Sequence, residues 1–430
     1  MLNYQLEKLI KGGDMIKILR ALPKVFVLLL FFNEYASDNP EDLVQRAVFI
    51  APVTDLFFDQ LSRHAPKVAL SNLYYGVPLA SNNSVYGCMR ATQVLFNQVV
   101  TIVKESGSEV CIHLERLFYD APDRSAASCF WTLKKNLLTF DQLKKMGVDT
   151  AVFPKPIVRD VSSLKDSTIV TLTLPWLDGV TGKEYSPGTR FVREAHNDTD
   201  EYIAIKLFDT NNRTIKQSFI PRDYCFLEKA LSTSDRQKAY VALIKKWALE
   251  LDGIVPYVWG GASLVQVLPD DEFYTQGGTI FNGPISYWVR PGMRNPKTGF
   301  DCSGLIACAA QICGIPYFFK NTLTLANHLR PLAQGENIEE GDLIWYAGHV
   351  MVVSDLKKNQ LIEASGYPSG HGKLQSIALS KKFMNINKYS DLVRAYHAKK
   401  PVKILNKDGK VMREVGFMLY KFSSVWQNNY

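Results

Sequence analysis

Three features of the sequence predict an α+β protein of several domains. From residue 46 to about 155 short apolar runs of β type alternate with polar turns, and a second such stretch spans about 160–230. Beyond residue 232 the pattern changes to an amphipathic helix, then a cysteine-headed apolar helix, then alternating strands. The 430 residues, 47% hydrophobic and 21% charged, exclude a fibrous or disordered chain. They suffice for about two to four domains, each with its own core.

In chain order, residues 15–37 come first, with Lys17, Arg20 and Lys24 ahead of the apolar run Val25–Phe32. This resembles a secretory signal peptide, which makes residues 1–37 an extension plus export signal; a buried helix of the mature protein is the alternative. The run is too short for a membrane span of about 20 residues, so no stable membrane insertion is expected. The runs RAVFIAPV, TQVLFNQVVTIVKE and EVCIHL predict strands, FDQLKKMG a short helix, and TIVTLTLPWL, TRFVRE and EYIAIKLFD further strands. Both β-rich stretches are candidate small barrels. Ser234 is placed to cap a helix with Ala239, Leu243, Trp247 and Leu251 on one face. Residues 262–300 are rich in Gly, Pro and Asn, and predict a long loop bordering or covering a cleft.

The chemistry lies beyond that loop. Gly299-Phe300-Asp301-Cys302-Ser303-Gly304 precedes an apolar helical run that Gly314 ends, so Cys302 sits at a helix start. The helix dipole there is expected to lower the thiol pKa and favour the nucleophilic thiolate. Cys308 and Cys313, deeper in the helix, read as small buried hydrophobes. Next, Gly341-Asp342-Leu-Ile-Trp-Tyr and His349-Val-Met-Val-Val read as strands, followed by a turn and QLIEAS. A hairpin centred near Leu356 puts His349 directly opposite Glu363, on one face with Met351 and Leu361. A cysteine, a base and an orienting carboxylate are the parts of nucleophilic acyl transfer.

The segments PYVWGGAS, GFDCSGLIACAAQICGI, GDLIWYAGHVMVV and LIEASG resemble, in order and approximate spacing, the NlpC/P60 family of cell-wall cysteine peptidases. The resemblance covers residues 235–400 and implies a papain-like α+β catalytic domain there, with residues 401–430 as an extension. It implies Cys302 as nucleophile, His349 as base and Glu363 in the third catalytic position, often His in this family. His371, in a Ser-Gly-His-Gly turn past the strand, is less suited to that position. Tyr257, with the Cys302 N–H, is implied in oxyanion binding, and Asp301 and Ser303 are further substrate-side candidates. The earlier β-rich segments, 46–155 and 160–230, look like the bacterial SH3-like barrels that precede such domains. The resemblance implies an exported, periplasmic or wall-associated endopeptidase cutting the γ-D-glutamyl–diaminopimelate (or Lys) bond of murein peptides. A cytoplasmic location follows if the N-terminal run is not a signal. An amidase or acyltransferase on the same fold, or a non-catalytic wall-binding protein, are the alternatives. Where relatives often carry an Arg-Asp pair for peptide binding, this chain has Tyr317-Phe-Phe-Lys320-Asn321-Thr322.

No cofactor or metal is called for, because no cysteine pair has metal-ligand spacing. The net charge of +8 suits an anionic wall polymer, and no basic run marks a nucleic-acid partner. The seven cysteines are an odd number, so at least one thiol is unpaired within the chain; Cys302 is expected to be kept free.

Overall fold

A computed structural model describes residues 45–60, 90–120, 126–227, 231–251, 255–265, 298–366, 369 and 371–428. The signal-like run and all but the ends of the 262–300 loop lie outside the described residues.

The first β-rich stretch forms an antiparallel sheet from β1 (Gln45–Phe49), β2 (Val53–Phe57), β3 (Arg90–Leu95), β4 (Val99–Ser106) and β5 (Glu109–His113). A short pair, β6 (Tyr119–Asp120) and β7 (Ala126–Ala127), precedes its last strands, β8 (Cys129–Leu133) and β9 (Leu137–Thr139). The strand order is β3-β2-β8-β5-β4-β1-β9. The run TQVLFNQVVTIVKE is two strands rather than one, because Asn97 takes a left-handed φ of 65° and turns the chain. Asn tolerates that conformation better than most residues. The short helix expected at FDQLKKMG is α1 (Phe140–Lys145), opened by a capping box of Thr139 and Gln142.

The second sheet comprises β10 (Ile169–Leu172), the short pair β11 (Trp176–Leu177) and β12 (Glu184–Tyr185) beside it, β13 (Arg190–Arg193), β14 (Tyr202–Asp209), β15 (Thr214–Pro221) and β16 (Cys225–Leu227). Its order is β15-β14-β13-β10-β16. Both sheets are antiparallel, but neither closes on itself among the described residues, so the expected barrels are seen as open sheets.

Helix α2 (Thr233–Glu250) is capped by Ser232, not Ser234; its side chain accepts the Asp235 N–H. The Ser232 hydroxyl also donates to the Asp235 carboxylate at 2.7 Å, so Asp235 engages the cap through both its backbone and its side chain. Tyr240, Ile244 and Trp247 are buried along its inner face, and Trp247 stacks on Phe300 with centroids 5.1 Å apart. The strands β17 (Ala262–Ser263) and β18 (Gly299–Phe300) pair and lead into α3 (Cys302–Ile312), every residue of which is buried. After α4 (Thr322–His328) come β19 (Leu343–Tyr346), β20 (His349–Asp355), β21 (Gln360–Ser365) and β22 (Lys373–Ala378). The chain ends with α5 (Leu379–Lys382), α6 (Tyr389–His397), β23 (Val402–Leu405), β24 (Val411–Val415) and β25 (Met418–Tyr420).

The order β22-β21-β20-β19-β25 shows that residues read as an extension supply the edge strand of this third sheet. One sheet face, with Val350, Val352, Ile362 and Ala364, shares a core with α2 and α3. The other, with Ile344, Met351, Val353 and Leu361, packs on Leu379, Phe383 and Leu392. The first core also takes in Phe49, Leu56, Val94 and Phe130 of the first sheet, whereas Val170, Phe191, Ile203 and Ile205 of the second sheet lie in a second core.

Candidate active site

Cys302 is the first residue of α3, where the sequence places it. The Asp301 side chain caps the helix by accepting the Gly304 N–H. Lys320, 3% exposed, donates to the other Asp301 oxygen at 3.0 Å, and the Ser303 hydroxyl lies 2.9 Å from Asp301 and 2.7 Å from the Lys320 carbonyl. Asp301 and Ser303 are thus engaged in building the helix start. Lys320 serves as the Asp301 counterion, and Asn321 caps α4. Gly304 is required by close approach: a Cβ there would lie 2.0 Å from the Gly261 carbonyl oxygen. The Trp259-Gly260-Gly261 turn and the Asp-Cys-Ser-Gly turn therefore fit together as backbone against backbone. Tyr257 is buried beside Phe300 through a parallel bridge, two residues before Cys302, and its N–H donates to the Gly372 carbonyl at 2.9 Å.

The sulfur of Cys302 receives the N–H of Val350, the residue after His349, and that of Ser303. Burial is the dominant influence on the thiol and, with the Asp301 charge, pushes it up to about 12 against the pull of Val350, Lys320 and Ser303. The sequence expectation was the reverse. The helix dipole acts on Cys302, but desolvation of a thiolate inside the core outweighs it. Cys308 and Cys313 are buried in the helix interior and are also pushed up to about 12 by desolvation.

His349 opens β20, and its Nε2 lies 2.7 Å from Glu363 Oε2. The hairpin register differs from the expected one. Val352 pairs with Ile362 and Val353 with Leu361, which carries on to Glu363 opposite Met351, two residues along from His349. The turn is centred about one residue beyond Leu356, with Asn359 at φ 54° and an irregularity between Val353 and Asp355. A slip of two residues keeps every side chain on its face, so His349 and Glu363 meet diagonally rather than directly across.

Glu363 is fully buried and accepts four hydrogen bonds. They come from His349, from Gln375 directly opposite on β22 at 2.9 Å, and from Lys382 at 2.9 and 2.7 Å. Burial alone would raise its pKa, but Lys382 and His349 hold it well below the usual carboxylate range. Burial lowers His349, Glu363 opposes this, and Lys382 and Arg413 add to the lowering. Lys382 is therefore the principal counterion of Glu363, and burial with the Lys382 and Arg413 charges favours the neutral form of His349. Burial likewise favours the neutral thiol of Cys302.

Sequence reasoning missed four groups here. Gln375 has a weak signal, an inward position on an alternating strand. Lys382 has none, since a Lys-Lys pair reads as surface. Tyr346, on β19, places its ring 5.3 Å from the His349 ring, and Arg413, on β24, lies 5.0 Å over the Tyr346 ring. Burial first, then the Glu363 and Cys302 charges, raise the Tyr346 hydroxyl, while Arg413 opposes this. His371 is 9% exposed and its Nε2 has no hydrogen-bond partner among the described residues; burial lowers it.

Among the described residues no group of three or more His, Cys, Asp or Glu side chains is set to hold a metal ion, and no helix is long and apolar enough to cross a membrane.

No protein-family model and no curated protein matches the sequence. Among solved structures the chain is similar to an NlpC/P60 family protein from Bacillus cereus, with 14% identity, 78% of this chain and 94% of that one covered, and a TM-score of 0.49. It is also similar to NlpC2 from Trichomonas vaginalis, at 12% identity over 79% of this chain and 94% of that one, TM-score 0.29. A third is the peptidoglycan hydrolase RipB from Mycobacterium tuberculosis, at 27% identity over 37% of this chain and 62% of that one, TM-score 0.22. At these TM-scores the superpositions carry no argument, and the site is read from its own residues.

Proposed function

We propose that the protein is a cysteine endopeptidase of peptidoglycan stem peptides, cutting the bond between γ-D-glutamyl and diaminopimelate or Lys. The observation that carries the chemistry is the 2.7 Å contact of His349 with the buried Glu363 on the strand whose next N–H reaches the Cys302 sulfur. The motifs around Cys302, His349 and Tyr257 support the substrate class through their resemblance to NlpC/P60 cell-wall peptidases.

In this reading the resting site holds a neutral thiol and a neutral imidazole. As Cys302 attacks the scissile carbonyl, its proton passes to His349, and the Glu363 carboxylate stabilises the imidazolium and holds the ring in orientation. The amine departs with that proton, and water, activated by the same imidazole, releases the acyl group from the sulfur. Tyr257, beside the nucleophile turn, is the side chain proposed to bind the oxyanion. The protein acts outside the cytoplasm, with residues 15–37 as its export signal; a mature N-terminus still at Met1 would overturn that location.

Incubation with defined muropeptides, read by mass spectrometry, tests the function. Products split after γ-D-glutamyl from the wild type, and none from Cys302→Ala, are expected. Intact muropeptides with the wild type, or equal cleavage by the variant, refute it.

A further inference from the structure

The first sheet carries a pair of thiols that the reaction does not use. On β5 and β8, Cys111 pairs with Trp131 and His113 with Cys129, so the four side chains share one face of the sheet and the two cysteines are diagonal neighbours. The opposite face, with Val110, Ile112 and Phe130, is buried in the core. Cys111 is buried and Cys129 exposed. Of the other described cysteines, Cys302, Cys308 and Cys313 are buried, and Cys225 is half-buried with its sulfur against the Pro221 carbonyl at 3.4 Å.

We propose that Cys111 and Cys129 are a redox pair, closed to a cross-strand disulfide between β5 and β8 by exchange with a low-molecular-weight disulfide. The roles follow from the placement. The Cys111 thiol, donating to the Cys129 sulfur, stabilises its thiolate and holds the Cys129 pKa at about 7, below the ordinary thiol value. Cys129 is also the sulfur an incoming reagent reaches. Its thiolate attacks one sulfur of the small disulfide, forming a mixed disulfide and expelling one thiolate. Cys111 then loses its proton and attacks the Cys129 sulfur, forming the protein disulfide and expelling the second thiolate. Two protein thiols are oxidised and one small disulfide is reduced to two thiols. The bond would join neighbouring strands of an already formed sheet and leave Cys302 as the working nucleophile.

The fully reduced protein, incubated with oxidised glutathione, acid-quenched, unfolded and alkylated, gives the test by thiol count and peptide mapping. The count is expected to fall from seven to five, with one peptide joining Cys111 to Cys129. Cys111→Ser is expected to stop at a glutathione adduct on Cys129, and Cys129→Ser to leave Cys111 alkylated. Wild-type protein that keeps both thiols, accumulates the Cys129 adduct, or joins Cys129 to another cysteine overturns the pair. An unreactive Cys129 in Cys111→Ser overturns the order of attack.

Discussion

Glu363 and Lys382 form an ion pair with no solvent contact of consequence, at 0% and 2% side-chain exposure. A buried pair of this kind is costly to break from one side, because the survivor is left charged and desolvated. Glu363→Gln is expected to lower stability by about 3–5 kcal/mol in urea unfolding, and to lower kcat/KM by about 10²-fold or more, since the imidazolium loses its counter-charge. The pH dependence of stability has a definite sign. Glu363 has a lower pKa folded than its unfolded value near ~4.3, so its stabilisation is present above that value and is lost as pH falls toward the folded value. Lys382→Met breaks the same pair from the other side: Glu363 loses the charge that most opposes its desolvation, so its pKa rises. The cost in urea unfolding is again expected to be about 3–5 kcal/mol, and the loss of stability on acidification is expected to set in at higher pH than in the wild type. An unmoved acid transition would show that Lys382 has no hold on Glu363.

The elements place the site through close backbone contact. A methyl at Gly304 would meet the Gly261 carbonyl, which is backbone and has no rotamer to yield. Gly304→Ala is expected to cost at least about 1–3 kcal/mol and to depress the melting temperature together with activity. An unchanged melting curve would refute the fit. Much of this was legible in the sequence. The helix start at Cys302, the strands at Leu343 and His349 and the shared face of His349 and Glu363 all follow from local periodicity, which survives a register slip of two. What periodicity does not contain is burial depth. The raised thiol pKa is not legible there, because the dipole is a property of the helix, whereas desolvation depends on all that packs around it. Lys382 and Arg413 reach the site through tertiary folding alone, from segments that read as charged surface.

Across the whole molecule the C-terminal segment belongs to the third sheet. Asp342 of the Gly-Asp-Leu motif accepts the Phe422 N–H at 3.1 Å and pairs with buried Lys421 at 2.9 Å, and β25 lies along β19. Removing residues 401–430 would bare that edge strand and strand the Asp342 carboxylate in the core. The shortened protein is expected to be insoluble or to lose cooperative thermal unfolding; a folded, active 1–400 chain would contradict this. The first sheet is tied in as firmly. Phe118 bridges to Phe319 one residue before Lys320, the counterion of Asp301. The Gln311 side chain on α3 donates to the Arg116 carbonyl at 3.0 Å and accepts from the Arg116 guanidinium at 3.0 Å, and the Trp247 indole donates to the Thr173 carbonyl at 2.7 Å. Such ties make the parts poor units of exchange. A recombination that replaced the first two sheets would have to supply a carbonyl for Trp247, a matching arginine for Gln311 and a strand partner for Phe319. The C-terminal half is therefore bound in its descent to these particular companions, and substitutions on either side of the junction should be inherited together.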